Sequence, residues 1–242
     1  MSNYFEAQDL NIAKINYSDI DTSNLEKIGE GYHSVVFKYE DIAIKVYHST
    51  TYNSIGNINL ELFEKLKEIQ SKAFMELIDY SIILCKDEYC LSGNLHPKRR
   101  LIRAYSYKYL PKLPIKSIDM PIDYSLKSIY ELKKFMLELN KKGIKIRDAH
   151  SENCIPTSDN IVIIDPDDYV LTNQDVTDNN ISEIREYLFD LWLEEYGLNN
   201  HEQKNKLIDI FNDYDIEKDV ERVSHEFKAK TPRKILDRCL NN

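Results

Sequence analysis

Two groups of residues stand out for the chemistry that their types and spacing permit. The first is Gly29-Glu30-Gly31-Tyr32-His33-Ser34-Val35, with Lys45 sixteen residues after Gly29 in the context Ala43-Ile44-Lys45. Glycines have no Cβ, so the backbone N–H groups beside them can approach a phosphate closely, and a lysine on a neighbouring strand adds a point charge for the same anion. A lone Gly-x-Gly is also the sequence of a tight hairpin; the lysine at this distance is what points to a nucleotide. The second group is Asp148-Ala149-His150-Ser151-Glu152-Asn153, with Asp165 twelve residues beyond it at the end of the apolar run Ile161 to Ile164. An aspartate in a polar loop can accept a hydroxyl proton. An asparagine five residues on and an aspartate past a hairpin can converge as hard oxygen ligands of the kind Mg²⁺ prefers. Taken alone, Asp148 and Asn153 read equally as turn residues, and it is their joint occurrence with the first group that favours chemistry.

These residues need elements to position them. Leu25 to Val46 holds three short β-rich stretches, ending at Ile28, around Val35 to Tyr39 and at Ile42 to Val46, broken by Gly29 and Gly31 and then by Glu40-Asp41. This predicts a three-strand meander carrying the glycines and Lys45. Leu62, Phe63, Leu66 and Ile69 recur at helical spacing and predict a helix over Leu60 to Ala73. Two further strands are predicted over Met75 to Leu84 and Arg100 to Leu110, with a polar loop containing Gly93 and Pro97 between them. Pro111 and Pro114 mark a linker. Ser125 to Lys142 reads as a helix closed by Gly143. Lys145 to Asp168 reads as a short strand, a polar loop and a hairpin turning near Ser158 to Asn160. Four helical patterns follow, at Ile181 to Tyr196, His201 to Phe211, Ile216 to Phe227 and Pro232 to Leu240. The expected organisation is a polar N-terminal extension over 1–24, a sheet-rich lobe over 25–110 and a mostly helical lobe over 111–242.

Composition narrows the partners. The chain of 242 residues has 42% hydrophobic and 30% charged residues with only 6 Gly and 7 Pro, enough apolar material for a real core and unlike a disordered or collagen-like chain. Its longest all-aliphatic run is the four residues Ile161 to Ile164, against about 20 needed to span a bilayer, and its N-terminus has no basic-then-apolar leader. No membrane association is expected and the cytoplasm is the expected location. Cys85, Cys90, Cys154 and Cys239 have neither C-x-x-C spacing nor disulfide density and read as free thiols. The net charge of −9 is concentrated in residues 165–219, which hold 16 acidic and 4 basic residues. Sequence-independent nucleic-acid binding, which draws on neutralised phosphates, is not expected of such a chain.

The order of the Gly29-x-Gly31-x-x-Ser34-x-Val36 hairpin, Ala43-Ile44-Lys45, a helix with acidic residues, Ile146-Arg147-Asp148-(four residues)-Asn153 and Ile164-Asp165 resembles the protein-kinase-like superfamily over about residues 25–200. The loop Asp148-x-His150-x-x-Asn153 is closest to the aminoglycoside phosphotransferase branch, whereas IGEGYHSVVF resembles the eukaryotic-type Ser/Thr protein kinases. The resemblance implies an α+β fold of two lobes, a small antiparallel-sheet lobe with one helix and a compact helical lobe, with ATP held between them. It further implies Gly29, Gly31, Ser34, Val36 and Ala43 around the nucleotide, and Lys45 on its α- and β-phosphates with a helix glutamate as partner. Asp148 is then the catalytic base, and Asn153 and Asp165 hold Mg²⁺. Glu61 is chosen as that glutamate, sixteen residues after Lys45, with Glu64 second and Glu68 on the same face. Several positions depart from the family pattern. Ser34 stands where a third glycine is usual, Ile146 replaces a His, and Pro166-Asp167 follow the metal aspartate in place of Phe-Gly. No Ala-Pro-Glu motif follows Asp165.

The implied activity is transfer of the γ-phosphate of ATP to a hydroxyl. The expected acceptor is Ser/Thr residues of a protein, as the glycine hairpin argues; the alternative is an aminoglycoside-like small molecule, as the Asp-x-His-x-x-Asn loop and the missing activation segment argue. A pseudokinase acting as a protein-binding module is the reading from another class, although this chain retains the lysine, the base and both metal ligands. The short stretch Tyr169 to Asn180 carries Asp175 and Asp178, either of which could pair with Arg147 in place of a regulatory phosphate. Trp192 and the 17 tyrosines are expected to pack rather than to form a ligand platform.

Overall fold

The computed structural model describes residues 26–31, 34–47, 60–85, 100–198, 200–212 and 215–240, for 81–85 and 100–103 by backbone alone. The N-terminal extension and the loop with Gly93, Pro97 and Cys90 lie outside these residues. The protein is a mixed α+β chain with a five-stranded antiparallel sheet and six helices among the described residues. It divides into two compact units, residues 1–67 with 76–109 and residues 68–75 with 110–242.

The first unit contains β1 (Glu26–Glu30), β2 (Ser34–Tyr39), β3 (Ile42–Tyr47), α1 (Leu60–Lys67), β4 (Leu77–Cys85) and β5 (Arg100–Lys108). The sheet order is β1-β2-β3-β5-β4. β1 to β3 are the predicted meander. Its second turn places Glu40 at φ 54°, a left-handed conformation uncommon outside glycine, and the Tyr109 N–H donates to Asp41 O at 2.7 Å to hold that turn. α1 buries Leu62, Phe63 and Leu66, and the Phe63 ring packs 5.5 Å from Tyr80 and 6.2 Å from Tyr105.

α1 is shorter than the predicted Leu60 to Ala73. It stops at Lys67, and residues 68–75 belong to the second unit instead. There Ile163 N–H donates to Ala73 O at 2.8 Å and Met75 N–H to Ile163 O at 3.1 Å, while the Phe74 ring stacks on Phe135 at 4.7 Å. Continuing the helix would forfeit these pairings and the burial of Ala73, Phe74 and Met75. Tertiary contact therefore overrides local propensity, which is worth only tenths of a kcal/mol per residue, roughly.

The second unit is organised by α2 (Ile122–Lys141), which buries Ile129, Leu132, Phe135 and Leu139 on one face. It ends at Gly143 with φ 64°, where a Cβ would lie 2.5 Å from Thr172 O, so both backbone conformation and close approach demand glycine. Then follow β6 (Ile144–Lys145), β7 (Cys154–Pro156), β8 (Ile161–Ile163) and β9 (Val170–Leu171), pairing β6 with β9 and β7 with β8. α3 (Thr177–Tyr196), α4 (His201–Ile210), α5 (Ile216–Phe227) and α6 (Pro232–Leu240) complete the unit. Trp192 is fully buried and clusters with Phe189 and Phe211, the packing role expected of it. Cys154 and Cys239 are free thiols. Among the described residues no helix is long and apolar enough to cross a membrane.

Candidate functional site

In the first unit, strand register brings the glycine hairpin and the lysine together. Gly29 is opposite Val36, Val36 is opposite Lys45, Lys45 is opposite Tyr105, and Tyr105 is opposite Tyr80, a single row crossing all five strands. Side chains alternate along a strand, so Ala43 lies on the same face as Lys45, two residues away. The turn between β1 and β2 is closed by the Gly31 N–H donating to Ser34 O at 2.9 Å. Lys45 is 5% exposed, and its ammonium is 5.8 Å from the Tyr47 ring centre and 6.0 Å from that of Tyr105, contacts that soften the cost of burying a cation. Among the described residues, nothing in the packing demands glycine at either hairpin position. A Cβ on Gly29 would meet Val36 at an ordinary 3.6 Å and one on Gly31 would have only Ser34 O at 4.0 Å, and neither residue has positive φ.

Glu61 does not fit the role assigned to it. Its side chain is 70% exposed and its carboxylate is 3.2 Å from Lys65 Nζ, an i,i+4 pair along the helix, whereas Lys45 is buried. Glu64 is also exposed, and Glu68 pairs with Lys142 in the second unit. Spacing from Lys45 could not distinguish these three, because the helix phase is set by Leu62, Phe63 and Leu66 packing inward.

In the second unit, Asp148, Asn153 and Asp165 are gathered at one end of the β7–β8 hairpin. Asp148 has φ 59° and Asp165 φ 61°, two of four non-glycine residues with positive φ among those described. Each such conformation costs about 1 kcal/mol or more and persists only where surrounding structure over-determines it. Asn153 links the two. Its Nδ2 donates to Asp148 O at 3.2 Å, and its backbone carbonyl accepts the N–H of Ile164, the residue before Asp165, at 2.9 Å. Nδ2 also lies 3.0 Å from His150 Nε2, which is in turn 3.3 Å from Asp148 Oδ2. Unprotonated, that nitrogen accepts from Asn153; protonated, it donates to Asp148. His150 therefore braces both residues in the loop-ordering role expected of it.

Sequence reasoning missed the residues that hold this loop. The start of α3 supplies them. Asn180 Oδ1 accepts the Ile146 N–H at 2.8 Å, and its Nδ2 donates to Ile144 O at 2.9 Å and to Asn140 Oδ1 at 2.7 Å. Asn179 Nδ2 donates to Ile146 O at 3.0 Å, and Glu183 accepts the Ala149 N–H at 3.3 Å. Burial raises the Glu183 carboxyl above its ordinary value, opposed by that N–H. The sequence context of these residues, Asn179-Asn180 followed by Ile181-Ser182-Glu183, carries no signal that separates them from a solvated helix start. Nor does Asp175 serve Arg147: it accepts the Thr177 N–H at 2.9 Å in an Asx turn just before α3, which holds its carboxyl below the ordinary value, while Arg147 is exposed.

A Mg²⁺ fit can be tested on these contacts. Among the described residues no group of three or more His, Cys, Asp or Glu could hold a metal ion by itself. Asn153 and Asp165, which flank the β7–β8 hairpin, are hard oxygen donors of the type Mg²⁺ takes when it shares its shell with substrate phosphates and water. Asn153 uses its Nδ2 on the Asp148 carbonyl and His150, contacts that leave its Oδ1, a hard donor of the kind Mg²⁺ takes, uncommitted by them. Comparison with known proteins adds nothing to this geometry: no protein-family model matches the chain and no curated protein matches it.

Proposed function

We propose that the protein is an ATP- and Mg²⁺-dependent phosphotransferase of the two-lobed protein-kinase-like superfamily, acting on a hydroxyl acceptor in the cytoplasm, where ATP is supplied. The observation that carries this reading is the pair of left-handed aspartates, Asp148 and Asp165, tied through the buried Asn153. Two left-handed aspartate backbones, one whose carbonyl accepts from the Asn153 side chain and one directly after the Ile164 N–H that the Asn153 carbonyl accepts, are the arrangement expected where strain maintains a functional geometry.

In this reading Gly29, Gly31 and Ser34 admit the nucleotide phosphates, and Val36 and Ala43 offer apolar surface to the nucleotide beside Lys45. Lys45 charges the α- and β-phosphates. Asn153 and Asp165 would hold Mg²⁺, which when bound with ATP offsets charge on the transferred group. Asp148 takes the proton of the acceptor hydroxyl on a carboxylate oxygen, while Asn180 and Glu183 fix the backbone on either side of it. Lysine, base and both metal ligands are all retained, which favours an enzyme over a binding module that keeps only the fold.

The test is thermal stabilisation by ATP with and without Mg²⁺, followed by an ATP-turnover assay. Stabilisation that needs Mg²⁺, together with turnover, supports the reading; no response to nucleotide under either condition refutes it.

A further inference from the structure

The sheet of the first unit sets aromatic rings around Lys45. Lys45 on β3 is directly opposite Tyr105 on β5, Tyr105 is opposite Tyr80 on β4, and Tyr47 lies two residues beyond Lys45, so all four side chains share one face. α1 covers that face, its Phe63 ring lying 5.5 Å from Tyr80 and 6.2 Å from Tyr105. Tyr105 is further wedged by the Tyr47 ring at 6.1 Å and the Tyr107 ring at 6.0 Å. Tyr47, Phe63 and Tyr105 are each at most 1% exposed, so packing fixes where these rings stand.

The Lys45 ammonium lies over both the Tyr47 and the Tyr105 ring. The face of an aromatic ring carries negative charge that attracts a cation, and the attraction strengthens where water is excluded, as it is around this buried lysine. A lysine head on its long flexible stem has no place of its own inside a protein; two fixed ring faces give it one. The acidic residues Glu61 and Glu64 stand on the exposed side of α1, whereas Phe63 of the same helix turns to Tyr105. Resting on the phosphotransferase reading, we infer that Tyr47 and Tyr105 are positioning residues for Lys45. Their ring faces hold its ammonium where the α- and β-phosphates of ATP meet it, and α1 acts on it through the Phe63 ring and not through Glu61 or Glu64.

The experiment replaces Tyr105 in the full chain by phenylalanine and then by mono-, di- and trifluorinated phenylalanine, which keep the ring's shape while draining negative charge from its face. Tyr105→Phe should bind Mg²⁺-ATP within about two-fold of wild type, because the ring remains. From there the Kd should rise in steps, by about three-fold in all at the trifluorinated ring, the effect of one cation–π contact. The same series in a Lys45→Met background should be flat, since no cation remains to be held. Melting temperatures of the ligand-free chain should likewise fall along the series with Lys45 present and stay level in Lys45→Met. If Tyr105→Phe does not fold, the same series at Tyr47 decides. A flat Kd series with Lys45 present overturns the inference, and so does an equal slope in Lys45→Met, which packing alone would produce. Glu61→Gln costing as much Mg²⁺-ATP affinity as the trifluorinated ring would also overturn it, by returning the role to the helix glutamate. In each of these cases Mg²⁺-dependent stabilisation of the wild-type chain by ATP still upholds the phosphotransferase reading. Absence of that stabilisation removes both.

Discussion

Replacing Asn180 by alanine should damage the protein more than any exposed substitution in α3. The side chain is completely buried and its two polar atoms make three contacts beyond its neighbour Asn179, at 2.7 to 2.9 Å, to Ile146 N–H, Ile144 O and Asn140 Oδ1. Alanine leaves the Ile146 N–H and Ile144 O without their partner in a buried site and Asn140 Oδ1 without it in a half-buried one. A buried polar group left without a partner costs about 1–3 kcal/mol, so the sum is about 3–5 kcal/mol if partial relaxation recovers some of it. That is a large share of the ~5–15 kcal/mol typical of a folded domain. Urea unfolding followed by tryptophan fluorescence reads it directly, because Trp192 lies in the same helix. Asn180→Asp sharpens the test. It preserves an acceptor for the Ile146 N–H but faces Ile144 O and Asn140 Oδ1 with oxygen instead of N–H, so it should be no better than alanine. A loss under about 1 kcal/mol for either variant, at unchanged m-value, would refute the claim that this amide holds the Asp148 loop.

Further outcomes follow from the same geometry. Asp148→Ala should abolish nearly all transfer while leaving nucleotide affinity within about three-fold, since the base touches the acceptor and not ATP; equal losses in a binding titration and in turnover would count against the role. Asp165→Ala should remove the Mg²⁺-dependent part of ATP stabilisation, and Asn153→Ala should reduce it less per ligand because only Asp carries charge; thermal shifts matching wild type in both would dismiss the metal assignment. The Arg233 guanidinium, donating to both oxygens of Asp119, holds that carboxyl below its ordinary 3.8. Because the folded value lies below the unfolded one, the pair contributes fully above the unfolded value, and its contribution is lost as pH falls through the folded value. The difference in Tm between wild type and Asp119→Asn should therefore be constant near neutrality and shrink below about pH 4; a difference that grows on acidification would contradict the pairing.

Much of this architecture is local and so was legible in the chain. Alternating β-rich stretches broken at Gly29, Gly31 and Glu40-Asp41 specify the meander, and apolar residues at helical spacing with Gly143 behind them specify α2, because burial of one face and a left-handed end are properties of a few consecutive residues. The spacing of Asp148, Asn153 and Asp165 was visible for the same reason: a loop and a hairpin return Asp165 close to where they started. Long-range competition decided the rest. The helix ending at Lys67 rather than Ala73 depends on Phe74 meeting Phe135 and on Ile163 pairing with residues 73–75, about sixty and ninety residues along the chain. Glu61 paired with Lys65 because the orientation of α1 follows from which face packs on Tyr80 and Tyr105, not from its distance to Lys45. The clamp by Asn179, Asn180 and Glu183 could not be read from one dimension at all. Asparagine and glutamate at the head of a helix look solvated in a sequence, and only the tertiary packing that brings the backbone of Ile144 to Ala149 against α3 turns them into hydrogen-bond partners that burial makes costly to lose.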